Sequence, residues 1–117
     1  MTAPAYDLAL FARLRALAFS VSPDCREGRM FGCPAIHVGR CMAACVLGDA
    51  VGLRVPEPVA EAARAGGRAR HFTPYGKQPM REWIALRGGP DSLDQAADLI
   101  RAALLFAVEN NARKSRA

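Results

Sequence analysis

Four cysteines and a histidine in the first half of the chain are the residues best suited to chemistry. They are Cys25, Cys33, His37, Cys41 and Cys45. Thiolate sulfur and imidazole nitrogen are common zinc ligands, but structural zinc sites usually draw ligand pairs from C-x-x-C turns, and no such pair is present. Free cysteine is among the most buried residue types, so we predict structural thiols, no metal and no cofactor.

The expected strand pairing separates these side chains as well. A Gly-Arg dipeptide predicts a tight hairpin between strands over 35–38 and 41–47. Because side chains alternate between the two faces of a strand, His37 is expected on the opposite face from Cys41 and Cys45. One site could not then collect all of the candidate ligands.

Nucleophilic catalysis has little support in the sequence. A cysteine nucleophile needs a base within reach, and neither His37 nor His71 lies in a recognisable nucleophile motif. The chain also has no G-x-S-x-G segment and no glycine pattern that opens a phosphate-binding helix. We therefore predict no catalytic residues and no enzyme activity. Thiol chemistry at Cys33 stays open as an alternative, because Cys33 is expected at a turn and less deeply buried than the others.

Basic and aromatic residues alternate in the second half of the chain. Such a mixture on a sheet is typical of proteins that bind single-stranded nucleic acid. Phe72 and Trp83, however, are expected to lie in strands and to supply core burial. Contact with nucleic acid or with a partner is therefore a second reading of this region, and its candidate residues are Arg68, Arg70, Lys77 and Arg81.

Length and composition predict one domain over residues 1–117. The chain is long enough to bury a core without a metal or a disulfide. It has no apolar run near the roughly 20 residues that span a bilayer, and Asp7, Arg13 and Arg15 interrupt the N-terminal apolar segment. We expect a cytoplasmic protein without membrane contact. The net charge of +5 permits weak attraction to acidic partners but does not establish it.

The order of the predicted elements is α-β-β-β-β-α-β-β-α, an α+β fold with an antiparallel meander sheet flanked by helices. Helices are predicted over 4–20, from 56 to about 65, and over 92–109, the last from a Ser-x-x-Gln capping box. The strands are expected over 29–31, 35–38, 41–47, 51–55, 69–73 and 82–86. Residues 110–117 are expected to be a basic tail that frays.

Several short motifs follow one another along nearly the whole chain. They are Met30-Phe31-Gly32 before the hairpin, Met42-Ala43 within it, Leu53-Arg54-Val55, Phe72-Thr73-Pro74, Pro79-Met80 and Trp83. In their order and spacing they resemble the N-terminal-domain family of TfoX, the competence regulator also called Sxy, with the YjbR-like and YdhG-like families as relatives. The residues taken as determining the fold are Met30, Phe31, Gly32, Pro79, Met80 and Trp83.

The resemblance implies a fold similar to the type III secretion chaperone fold and a protein that is not an enzyme. Longer family members carry a second, helical domain and act in transcription regulation of competence genes, whereas this sequence ends soon after its last predicted helix. We expect a small regulatory module that acts through protein contacts. Direct nucleic-acid binding is the alternative, and a homodimer through an exposed sheet edge is a further expectation.

Overall fold

Within the described part of the chain, six strands form an antiparallel sheet and four helices pack against one of its faces. The computed structural model describes residues 7–30, 32–73 and 81–116. In chain order the elements are α1 Leu8–Val21, β1 Arg26–Met30, β2 Cys33–Val38, β3 Cys41–Leu47, β4 Ala50–Arg54, α2 Glu57–Ala65, β5 Arg70–His71, β6 Trp83–Leu86, α3 Pro90–Gln95 and α4 Ala97–Arg116. The predicted α+β class and element order are confirmed, with one additional helix.

The strands lie in the order β1-β2-β3-β4-β6-β5, so the first four form a meander and β6 lies between β4 and β5. The predicted hairpin between β2 and β3 is confirmed, with Val38 opposite Cys41. Its turn is held from two sides. Arg26 donates to the carbonyl of Gly39 at 2.7 Å, and the Oδ1 of Asn111 accepts from the backbone N–H of Arg40 at 3.2 Å.

The main core lies between the helices and one face of the sheet, which we call the inner face. Ile36, Leu53 and Ile84 contribute to it from three strands, and Leu14 and Leu104 cover them from α1 and α4. A smaller cluster occupies the outer face, where Phe72 stacks on Trp83 with ring centroids 5.3 Å apart over Ala35 and Cys45. Both aromatic side chains are buried, as the sequence predicted.

The prediction of a single last helix over 92–109 is wrong. A short helix, α3, begins at Pro90, and Ala96 ends it before α4 starts. The hydroxyl of Ser92 donates back to the carbonyl of Gly89 instead of capping a helix. α3 packs against α1, where Arg13 forms an ion pair with Asp94, whereas α4 crosses β2, β3 and β4.

α4 also continues to Arg116, through the region expected to fray. Asn110 is buried, and the Asn111 side chain packs against the turn of β2 and β3. The sequence lacks a large apolar anchor here, and polar contacts take that role. Five strands also differ from their predicted bounds, and only β3 matches: β1 begins three residues earlier than predicted, β2 begins two residues earlier, β4 is shifted by one residue to Ala50–Arg54, β5 spans only Arg70–His71, and β6 begins one residue later.

Candidate functional site

A β-bulge in β3 decides where the thiols and the histidine lie. The register passes from Ile36 opposite Ala44 to His37 opposite Met42, so Ala43 is an extra residue. The bulge reverses the alternation along β3, and Cys41 joins the inner core whereas Cys45 joins the outer cluster. Our prediction that Cys41 and Cys45 share one face is therefore wrong.

All four cysteines are free and buried. Cys33 is 2% exposed, so the expectation of a more accessible thiol at a turn is wrong. Burial raises the pKa of Cys45 to about 12, and burial also raises the pKa of Cys25. Neither thiol is therefore poised as a thiolate at neutral pH. No group of three or more His, Cys, Asp or Glu side chains in the described parts of the chain is arranged to hold a metal ion.

His37 covers Gly28 on the neighbouring strand β1. A Cβ placed at Gly28 would lie 2.5 Å from the His37 Nδ1, so the absence of a side chain there makes room for the imidazole. This Nδ1 is buried and has no hydrogen-bond partner among the residues that the structure describes. Burial, with a smaller contribution from the charge of Arg26, lowers the pKa of His37. The lowered pKa favours the neutral imidazole, which is packed against β1 and has no carboxylate partner among the described residues.

The predicted basic region is divided among separate contacts. Arg68 forms a bidentate ion pair with Asp98, with N–O distances of 2.8 and 2.7 Å. Arg81 lies 3.9 Å from the carboxylate of Glu57. Arg70 is exposed on the edge strand β5. Lys77 lies outside the described residues. The neighbouring Phe72 and Trp83 rings are buried against each other, so they offer no exposed face for stacking a base.

The motif residues of the resemblance lie in three places. Gly32 occupies the turn between β1 and β2 with a φ of 83°, a conformation that favours glycine, and Trp83 is buried at the start of β6. Met30 ends β1. Phe31, Pro79 and Met80 lie outside the described residues.

A cleft between α1 and β1 is a concave surface that sequence reasoning missed. Its volume is about 420 Å³. Apolar side chains from α1 and β2 line it together with three consecutive residues of β1; the set is Leu8, Phe11, Glu27, Gly28, Arg29 and Pro34. Leu8 is 63% exposed and lies off the buried stripe of α1. A leucine outside the buried stripe of α1 was the sequence signal that could have indicated this cleft.

The cleft adjoins a free sheet edge. Of the described strands, only β2 pairs with β1, so alternate backbone N–H and C=O groups on the other side of β1 have no partner in the sheet. Arg15 on α1 forms an ion pair with Glu27 at 3.2 Å, and both side chains are about half exposed. Arg29 is exposed at the same edge. An unpaired strand beside an apolar cleft can receive an extended polypeptide, with main-chain pairing for affinity and the cleft for a side chain.

Comparison of the chain with protein-family models, with curated proteins and with solved structures gives no match. No helix in the described ranges is long and apolar enough to span a membrane.

Proposed function

We propose that this protein is a non-catalytic regulatory module of the cytoplasm that acts by binding a protein partner, as its resemblance to the N-terminal domain of TfoX implies. A role in transcription regulation of competence genes belongs to the same proposal. The function of a protein depends on its site and not on its fold alone. A surface suited to binding must therefore support the proposal.

The observation that carries the proposal is the free edge of β1 beside the cleft of Leu8, Phe11 and Pro34. Exposed strand edges are usually shortened, charged or covered, because they can pair with other chains. β1 carries charged side chains along its length, yet the neighbouring cleft leaves an apolar surface open. This combination suits a specific partner better than unspecific self-pairing.

The occupant that fits is an extended, acidic segment of a partner protein. Among the described residues no carboxylate pairs with Arg29 at the edge, whereas Glu27 is already paired with Arg15. The surface is therefore positive, in line with the net charge of +5. A carboxylate on the partner would meet Arg29, and an apolar side chain would enter the cleft against Leu8.

The test uses two variants of the edge and one matched control. Leu8→Asp and Arg29→Glu change exposed residues of the cleft, and Leu105→Asp places the same charge on another exposed helical leucine. Proteins cross-linked to the purified wild-type chain in an extract of its own cells are identified by mass spectrometry, and the best candidate is purified for titration. We expect binding to weaken at least tenfold in both edge variants and to be unchanged in Leu105→Asp.

Hydrogen exchange locates the contact. Partner binding should slow exchange of the backbone amides of residues 26–30. Equal binding by all three variants, or no change in exchange at β1, would contradict the proposal. Hydrolytic or transfer activity in a broad substrate screen would contradict the non-catalytic part of the proposal. If the wild-type chain alone sediments as a dimer and the Arg29→Glu variant as a monomer, the edge serves self-association instead.

A further inference from the structure

The solvent side of α4 carries two exposed apolar side chains. Leu105 is 50% exposed and Val108 is 41% exposed, and they are two of the three large hydrophobic side chains exposed in the described part of the chain. The core side of the same helix, which includes Ile100 and Leu104, is fully buried. α4 therefore presents apolar surface to solvent as well as to the core.

Two charged residues flank this apolar pair at equal distances. Arg101 precedes Leu105 by four residues and Glu109 follows it by four, so both lie on the same side of the helix as Leu105. Both are exposed, and neither has an ion-pair partner among the described residues. Asp98, by contrast, already forms a bidentate ion pair with Arg68. Leu105 thus has a free cation on one side and a free anion on the other.

We call Arg101, Leu105, Val108 and Glu109 the α4 surface. Single exposed apolar side chains are common on proteins and need no partner. That explanation covers either apolar residue alone. It leaves unexplained an apolar pair one turn apart near the middle of a 20-residue helix, bracketed by opposite charges that lack partners among the described residues.

A second copy of the same helix fits this arrangement when the two helices run antiparallel. Centred on Leu105, such a pair brings Arg101 of each copy level with Glu109 of the other, and Ala102 level with Val108. Parallel pairing would instead bring arginine level with arginine and glutamate level with glutamate. Ala102 is small, so it leaves room for the two helices to approach closely. The charge pattern is therefore complementary to itself in one orientation only.

We propose that the α4 surface is a homodimer interface, in which the α4 helices of two copies of this chain pack antiparallel across a two-fold axis. The apolar pair supplies buried area at the centre, and the two Arg101–Glu109 pairs between the copies set the orientation. One pair of helices is a small interface, so the dimer should dissociate on dilution. The α4 surface shares no residue with the cleft between α1 and β1, so this interface is independent of the partner binding proposed above.

Sedimentation of the purified chain over a range of concentrations measures the dimer. We expect the wild type to pass from monomer to dimer as its concentration rises. Leu105→Asp should raise the dissociation constant about tenfold or more, because each dimer carries the new carboxylate twice in its apolar centre. Arg29→Glu and Arg70→Glu reverse exposed charges on the two edge strands of the sheet, and both should dimerise like the wild type.

Two results of this experiment would overturn the proposal. One is a wild-type chain that stays monomeric at every concentration. The other is a dimer that an edge variant dissociates and Leu105→Asp does not, which would assign self-association to a sheet edge. Leu105→Asp should lose the dimer while keeping partner binding at β1, so the two proposals can fail separately.

Charge reversal tests the orientation of the helices. Arg101→Glu alone brings carboxylates level with each other, and Glu109→Arg alone does the same with guanidinium groups, so each variant should dimerise more weakly than the wild type. An equimolar mixture of the two variants should form dimers again, because every charge then meets its opposite in the other copy. Arginine and glutamate both favour helices, so the fold is retained, which circular dichroism checks. A mixture no more dimeric than the single variants would overturn the antiparallel pairing.

Discussion

Gly52 on β4 offers a sharp test of the packing on the outer face. A Cβ at this position would lie 2.9 Å from both Cε1 and Cζ of Phe72 and 3.1 Å from the Sγ of Cys45. Carbon atoms in contact prefer a separation of about 3.5 to 4.0 Å, so the ring must retreat by about 0.6 Å or more. Trp83 stacks on Phe72 and is itself buried, which leaves the ring little freedom to move.

We therefore expect Gly52→Ala to destabilise the protein. Overpacking of this kind costs about 1 to 3 kcal/mol, and the lower entropy of alanine in the unfolded chain returns about 0.4 to 1 kcal/mol. The net loss in the free energy of unfolding should be about 1 kcal/mol, within a range of about 0 to 2.6 kcal/mol. Urea denaturation followed by Trp83 fluorescence and by circular dichroism measures it, with coincident transitions as the test of two-state behaviour.

A double-mutant cycle isolates the cause. Phe72→Leu replaces the ring that the new methyl group would meet, so Gly52→Ala should cost clearly less in that background than in the wild type. Equal costs in both backgrounds would refute the reasoning, because the loss would then come from the strand backbone and not from the ring. A stabilising effect of Gly52→Ala in the wild type would refute it more directly.

Three further predictions concern titration and reactivity. Burial, with a smaller contribution from Arg26, lowers the pKa of folded His37 below the ordinary histidine value of 6.5, so between these two pH values the unfolded chain binds more protons than the folded chain. The free energy of unfolding should therefore fall as the pH drops from about 6.5 through the lowered pKa. Urea denaturation at each pH measures this, and His37→Gln should lose the step. The hydrogen bond from Arg68 lowers the pKa of Asp98, so an NMR titration should place it below 3.8 and Arg68→Gln should raise it; an unchanged value would mean that the ion pair does not persist in solution. All four thiols should react with iodoacetamide slowly in the native protein and rapidly in urea, as mass spectrometry would show, and rapid native labelling of Cys33 would restore the thiol hypothesis.

Local sequence signals were sufficient to predict the elements whose ends are set by turn and cap residues. The glycine of the hairpin turn predicted β2 and β3 correctly, and Pro56, Glu57 and the following Gly66 predicted α2, because turn and cap residues act over a few positions. The alternation of strands and helices then allowed the α+β class to be predicted.

The bulge and the helix break could not be predicted in this way. Ala43 and Ala44 carry no turn signal, so the change of face within β3 depends on pairing with β2 and β4. Ala96 is a good helix former and carries no break signal, and the two helices that meet there have different partners, since α3 packs on α1 and α4 on the sheet. The concave surface lined by Arg54, Asn110, Arg113 and Lys114 joins residues more than fifty positions apart, so no local pattern could reveal it.

The bulge at Ala43 also bears on how this sheet tolerates insertions and deletions. Removing a residue of β3 other than Ala43 or the identical neighbouring Ala44 would turn every following side chain to the opposite face, which would expose part of the core. Removing Ala43 would instead restore regular pairing and leave Cys41 and Cys45 on the faces they already occupy, at the cost of one buried methyl group. A chain one residue shorter at this point would keep the same fold, so the bulge is the one place in β3 where length can change without changing which residues are inside.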